Sequence, residues 1–314
     1  MTSRLQSTSG VAPWQGTSLV CLAGVIWGTI GPGVHLVHER SGFSVLTIGG
    51  YRATAALVTL ILAAGVTGRL SSCLAVAGRH PGRVVAVGLL TAAFQLSFFV
   101  AVLATGVSVA TVVALGLPPV LLLVLSSARR RRPPGRAEVL TVAVALTGLL
   151  LVGIAGGSGK QGPHPVWGVV AAVASGTAYA LSADAGAVLS RRNDALVVTT
   201  VTMTVTAAVL VPGGLLLALA RGEPMTTGDV GSWGLLAYLG VVTMAFAYVL
   251  LFAGLRSVPS GAAVVATLLE PVTGVLIAIS LLGESLTPAG VLGSVLILGA
   301  IATLGRRQGA PQPQ

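Results

Sequence analysis

The chain has 314 residues, 54% of them hydrophobic and 8% charged, with a mean hydropathy of +0.94 and a formal net charge of +10. Soluble domains carry about 25% charged residues, so 18 basic and 8 acidic side chains are too few to solvate a globule of this size. The composition excludes a soluble globule and points to an integral membrane protein.

Ten apolar runs, each near the ~20 residues that cross a bilayer, fill almost the whole chain: about 17–37, 44–66, 84–104, 108–127, 138–156, 166–189, 195–219, 232–255, 261–282 and 288–304. The first has the look of a signal peptide. Nine more follow it without an Ala-x-Ala cleavage site, so it is expected to stay as a helix. It carries Trp27, and the second run carries Arg52. In the third, Thr91, Phe94, Gln95 and Phe98 fall at helical spacing on one face, and Thr243 and Phe246 repeat that pattern in the eighth, beside Tyr248. The fourth contains Pro118–Pro119. The sixth holds Tyr179, Ser182 and Asp184, and the ninth Glu270–Pro271. Cys21 and Cys73 are too few for a disulfide framework. The linker 156–165 (Gly-Gly-Ser-Gly-Lys-Gln-Gly-Pro-His-Pro) resembles half a P-loop, but no Ser or Thr follows Lys160 and no strand precedes it, so nucleotide binding is not expected there.

Residues 88–119 recur without a gap at 240–271, an offset of 152, with 13 of the 32 aligned positions identical. The chain therefore reads as two copies of one unit, 1–156 and 157–314. Five helices per copy is an odd number, so the second copy must enter the membrane from the opposite side: an all-α membrane protein of ten transmembrane helices in two five-helix inverted-topology repeats. With the N-terminus in the cytoplasm, inside segments hold 14 arginines, and outside loops hold only Arg40, Lys160 and Arg221. The positive-inside rule thus puts both termini in the cytoplasm. It also accounts for the net charge without nucleic acid, and reads Arg129–Arg132 as a loop that anchors two helices.

Three charges fall inside apolar runs: Arg52, Asp184 and Glu270. An ionised group in hydrocarbon costs several kcal/mol unless it is paired or faces a cavity, so such residues are functional candidates. Glu270 lies about 14 Å deep at 1.5 Å per residue, and Pro271 after it should bend or open the helix. Pro118–Pro119 occupy the matching place in the first copy, and interrupted helices at matching positions point to a transport site. Glu270 is read either as part of that site or as the cap of a broken helix. Arg52 is read as a structural partner or gate in preference to a ligand contact. Asp184 belongs either to an inner vestibule or to a surface balance with Arg191 and Arg192. Gln95, Trp27, Tyr179 and Tyr248 complete the candidate substrate or coupling set with Glu270, Pro271, Pro118, Pro119 and Asp184, because a buried amide needs partners.

From Gly240 to Thr303 the sequence resembles the EamA branch of the drug/metabolite transporter superfamily. The resemblance rests on Ala245–Tyr248, Leu255, Val258–Pro259, Leu268–Leu269–Glu270–Pro271–Val272, Leu282–Gly283–Glu284–Ser285–Leu286 and Gly290, Gly293, Leu298 and Gly299. The first copy matches at Trp27–Gly28, Arg52 and Pro118–Pro119. The resemblance implies ten helices in two inverted repeats and a central cavity lined mainly by the first, third, fourth, sixth, eighth and ninth. It also implies secondary transport of small metabolites, often export. Pro118 stands where the second copy has Glu270, and Arg131–Arg132 where it has Gly283–Glu284, so a symmetric carboxylate pair is missing.

An amino-acid, organic-acid or drug-like solute is the expected partner, carried by alternating access with proton coupling through Glu270, in a bacterial plasma membrane. The 17-to-1 excess of Arg over Lys fits a high-GC genome. No metal, cofactor, nucleic acid or obligate protein partner is expected. A passive facilitator shares this architecture. An intramembrane enzyme would need a constellation that His35, His38, His80 and His164, at helix ends or in loops, do not supply.

Overall fold

In a computed structural model the chain is described over residues 13–155, 163–282 and 287–309; most of the 156–165 linker and Gly283–Glu284 lie outside them. The helices, in order, are α1 (Pro13–Trp27), α2 (Ile30–Ser41), α3 (Val45–Val66), α4 (Leu70–Arg79), α5 (Pro81–Thr105), α6 (Val107–Arg130) and α7 (Arg136–Ala155). Then follow α8 (Pro165–Ser190), α9 (Ala195–Arg221), α10 (Val230–Gly240), a π turn (Val241–Phe246), α11 (Ala247–Gly254), α12 (Ser260–Ala266), α13 (Leu269–Leu282) and α14 (Pro288–Gly309). Among the described residues nine helical segments are long and apolar enough to cross a membrane, and Pro288–Leu304 is a shorter apolar helix.

Local signals set the helix ends. The Ser44 hydroxyl accepts from Thr47 N–H at the start of α3, and Asp194 accepts from Leu196 and Val197 N–H at the start of α9, each satisfying donors that a helix N-terminus leaves free. Gly42 and Gly222 end α2 and α9 in the left-handed conformation, open to glycine without steric cost. At the start of α10, the Asp229 cap accepts from both the hydroxyl and the N–H of Ser232, which holds its carboxyl below the usual carboxylate range.

The stretch 67–83, which lies between two apolar runs and reads as a connecting loop, forms the helix α4. Cys73 and Val76 are buried under it, while Leu70 and Leu74 are exposed. Ten residues are too few to span a bilayer, and α4 lies at the arginine-rich end between Arg69 and Arg79.

Packing runs mainly between the two halves: α3 lies on α9, α5 on α8, α7 on α14, and α1 on α11. Lipid is as apolar as leucine, so helices in a membrane associate by close backbone contact at small residues. Gly148 of α7 and Gly293 of α14 show this reciprocally, since a methyl group on either would stand 2.6 Å from the other's carbonyl oxygen. The repeat offset reappears in these contacts. Gly16 closes on Ser257, and 152 positions on from Gly16, Gly168 closes on Thr105, which itself lies 152 before Ser257. Gly24 seats on Thr267, and its counterpart Gly176 seats on Ala114, one residue from the position matching Thr267.

Candidate functional site

Three membrane-spanning segments are interrupted, and the interruptions meet. The first opens at Gly28–Thr29 between α1 and α2, the second contains the π turn Val241–Phe246, and the third opens at Thr267–Leu268 between α12 and α13. Proline explains the last. Pro271 has no N–H for the carbonyl of Thr267, which accepts instead from Glu270 N–H at 2.9 Å, tightening the turn. Gly28 lets the first break sit on this one: a methyl there would stand 2.7 Å from the Glu270 carbonyl oxygen.

Hydrogen bonds tie the breaks together. Trp27 Nε1 donates to the carbonyl of Thr243 in the π turn at 2.9 Å. Arg52 Nη2 donates to Thr243 Oγ1 at 3.3 Å. Tyr179 from α8 shares a hydrogen bond with Thr267 Oγ1 at 3.0 Å. Trp27 and Tyr179, 152 positions apart, thus anchor the two halves at corresponding places.

These residues enclose a cavity of about 80 Å³. Its wall is aromatic: Trp27 meets Tyr248 edge-on at 5.2 Å, and Phe94 stacks on Tyr179 at 5.0 Å. Its polar groups are Arg52, Gln95 and Glu270. Arg52 is only 5% exposed, and among the described residues its Nε and the Gln95 Nε2 have no partner. The cavity wall thus carries two buried polar side chains whose hydrogen-bonding capacity is incompletely used among the described residues. Glu270 lies in the first turn of α13, where the free N–H groups and helix dipole favour a carboxylate. Among the described residues Arg52 forms no ion pair within 4 Å, so the two charges share the cavity without closing on one another.

The cavity continues through Trp27, Ile30, Phe98, Phe99 and Glu270 into a vestibule of about 500 Å³. That vestibule reaches the arginine-poor ends of the helices at His38, Val107, Ala155 and Thr287. At the arginine-rich end, Asp184 accepts from Arg129 Nη1 at 2.7 Å and from Ser260 Oγ at 3.2 Å, which ties α8 to α6 and α12.

Several sequence expectations need correction. The helix carrying Pro118 and Pro119 is not interrupted: α6 runs through both, and neither lines the cavity. The carbonyl of Ala114, left without its usual donor, lies against the bare backbone of Gly176, so packing on α8 holds the helix where proline would otherwise break it. Asp184 balances Arg129, not Arg191 or Arg192, and it lines neither the cavity nor the vestibule. Phe246 does not repeat the role of Phe94; it is 49% exposed, because the π turn rotates the helix and brings Tyr248 inward instead. Pro271 lines the vestibule and not the cavity, and His35 and His38 lie within α2 on the vestibule wall. Sequence reasoning missed Ile30, Phe99 and Leu115, apolar members of the cavity wall, and the Gly28–Thr29 break that places Ile30. Among the described residues no three His, Cys, Asp or Glu side chains group as metal ligands.

The model of the EamA-like transporter family matches residues 14–154 and again 166–306. The chain is 27% identical over 279 residues to an uncharacterized transporter, YwfM, of Bacillus subtilis (strain 168), covering 89% of this chain and 90% of that protein. A solved crystal structure of a protein 22% identical in sequence superposes with a TM-score of 0.74 over 93% of this chain and 99% of that one, a likeness of fold. With two copies of the family's domain in succession, and helices fit to cross a membrane throughout both, the chain belongs to the EamA-like transporter family and is a multi-pass membrane transporter.

Proposed function

We propose that the chain is a proton-coupled secondary transporter, acting as an exporter of small amphipathic metabolites across a bacterial plasma membrane. It has ten crossings in two inverted five-helix units, 1–156 and 157–314, with both termini in the cytoplasm. The observation that carries the reading is the cavity where three interrupted helices cross, holding Glu270 and Arg52, open to a vestibule at one end and tied by Arg129–Asp184–Ser260 at the other. A polar site between two copies of one unit, continuous with a vestibule toward one end, suits alternating access. The inverted arrangement draws support from contact order: Thr141 of α7 nears Thr303 of α14, while Gly148 nears Gly293, so contacts climb one helix as they descend the other. Orientation draws on the arginine bias, and export on the sequence resemblance.

In this mechanism Glu270 alternates between proton and substrate as access alternates, and Arg52 keeps the cavity polar without neutralising it. The substrate meets an aromatic wall and the polar side chains of Arg52 and Gln95. A transporter of this design works as a carrier, not an enzyme, without nucleic acid, cofactor or obligate protein partner.

The test is Glu270→Gln in proteoliposomes. Glutamine keeps the shape and hydrogen-bonding capacity but cannot ionise. The variant should lose accumulation driven by a proton gradient, keep substrate binding, and lose its pH dependence. Accumulation equal to the parent across the pH range would make Glu270 structural and leave an uncoupled facilitator. Reporter fusions at Gln314 and within 156–165 test the orientation, inside and outside respectively.

A further inference from the structure

At the arginine-rich end, away from the transport cavity, two cavities adjoin on either side of the α8–α9 connection. One, of about 250 Å³, is lined by His80, Arg83, Arg191, Arg192 and Asn193 together with Val188 and Leu189. The other, of about 540 Å³, lies beside α4 and is lined by Arg69, Arg79, Arg192, Asn193 and Asp194 among others. Arg192 and Asn193 belong to both.

The charges here are not balanced. Asp194, the acid of this region, is bound to Arg69 at 2.7 Å and caps α9 with the same oxygen. Elsewhere at this end Arg129 has Asp184 and Arg130 has Glu138. Arg79, Arg83, Arg191 and Arg192 have no carboxylate within 4 Å among the described residues. Four guanidinium groups around two connected cavities repel one another unless an anion lies between them, and guanidinium forks match phosphate oxygens well.

The surroundings decide what kind of anion. Val85 and Leu89 on α5, just beyond Arg83, are exposed apolar side chains, as are Leu181 and Val188 on α8, just before Arg191. Leu70 and Leu74 of α4 are exposed beside the second cavity. Basic groups at the helix ends with bare apolar helix faces next to them form an amphipathic frame. A soluble anion would use only the first half of it.

We infer that the paired cavities around Arg192 bind the phosphodiester headgroup of an anionic phospholipid, its acyl chains lying along the exposed faces of α5 and α8. Basic pockets between transmembrane helices at the cytoplasmic surface bind such headgroups in general. The site is independent of what the central cavity carries. It clamps the α4–α5 corner to the α8–α9 connection, one element from each half of the chain.

The experiment is thermal unfolding of the purified full-length protein in a neutral detergent at physiological salt. Cardiolipin, phosphatidylglycerol, phosphatidylcholine or inorganic phosphate is added at matched ionic strength. Cardiolipin and phosphatidylglycerol should raise the midpoint, and phosphatidylcholine should not. The triple variant Arg83→Gln, Arg191→Gln, Arg192→Gln should lose more than half of the shift. The double variant Arg131→Gln, Arg132→Gln, whose residues line neither cavity, should keep it. Should the triple variant fail to fold, native mass spectrometry of Arg192→Gln against the parent counts retained lipid, with fewer cardiolipins expected on the variant. Equal shifts with phosphatidylcholine, or equal loss in the double variant, would overturn the site in favour of diffuse attraction. A full shift from inorganic phosphate alone would overturn the lipid and leave a soluble-anion site.

Discussion

Gly28 is where the two broken helices touch, and a single methyl group tests whether that contact matters. In Gly28→Ala the new Cβ would lie 2.5 Å from Thr273 Cβ and 2.7 Å from the Glu270 carbonyl oxygen. Carbon atoms rest about 3.5–4.0 Å apart, so the turn at Gly28 and the first turn of α13 must part by about 1 Å. Neither neighbour can swing aside, since one is backbone and the other the branch point of a β-branched side chain. Overpacking of this kind costs about 1–3 kcal/mol, a fall of roughly 1.5–5 °C in unfolding midpoint for a protein of 314 residues. The same displacement moves Glu270 relative to Trp27, so transport in proteoliposomes should fall as well. Gly31→Ala is the control. A methyl there meets nothing within 4 Å, and alanine within α2 gains up to about 1 kcal/mol of helix propensity. The two variants are compared for midpoint and for initial transport rate. If Gly28→Ala unfolds and transports like Gly31→Ala, the crossing of the breaks is not a constraint, and the site has been misread.

Further perturbations address the remaining parts. Pro271→Ala supplies the N–H that the Thr267 carbonyl lacks; the third segment should straighten, the protein should still insert, and transport should drop, whereas full activity would make the break incidental. Asp184→Asn weakens the tie to Arg129, whose side chain is 58% exposed. An exposed pair is worth about 0.2–1 kcal/mol, so accessibility should shift by no more than about fivefold, read as slower thiol labelling of a cysteine placed at Thr111 in the vestibule; an unchanged rate would count against Asp184 as a latch. Tyr179→Phe removes the hydrogen bond to Thr267. It should cost about 0.5–1.5 kcal/mol, with a matching drop in midpoint, and a midpoint equal to the parent would mean that this bond does not hold the break.

What the sequence revealed follows from how strongly each residue violates its surroundings. Arg52 and Glu270 stand out because charge is costly in an apolar run, and Trp27, Gln95, Tyr179 and Tyr248 because they are large or polar there; all six line one cavity. The break at Gly28–Thr29 carries the same mark as the one at Thr267–Leu268, since Pro32 has no N–H for the carbonyl of Gly28, but with no charge beside it, in a glycine-rich run, that mark is easily passed over. Pro118–Pro119 gave the opposite error: proline lowers the stability of a helix locally, but whether the helix breaks depends on a neighbour, here Gly176, that lies 57 residues away in sequence. Phe246 was misplaced because a helical wheel assumes one constant angle per residue, and the π turn changes that angle in the middle of the segment. The helix α4 was missed because it is too short to span a bilayer.

The pairing of α7 with α14 through Gly148 and Gly293 has a consequence for biosynthesis. The partner that covers Gly148 is made 145 residues after it. At about 5–20 residues per second, α7 therefore waits roughly 7–30 s in the membrane with its glycine face bare. α3 waits likewise for α9. The first half is inserted long before it can be packed, so its helices are exposed on the ribosome-bound chain to lipid, insertion machinery and quality-control proteases. A truncation that removes α14 leaves α7 in that exposed condition permanently.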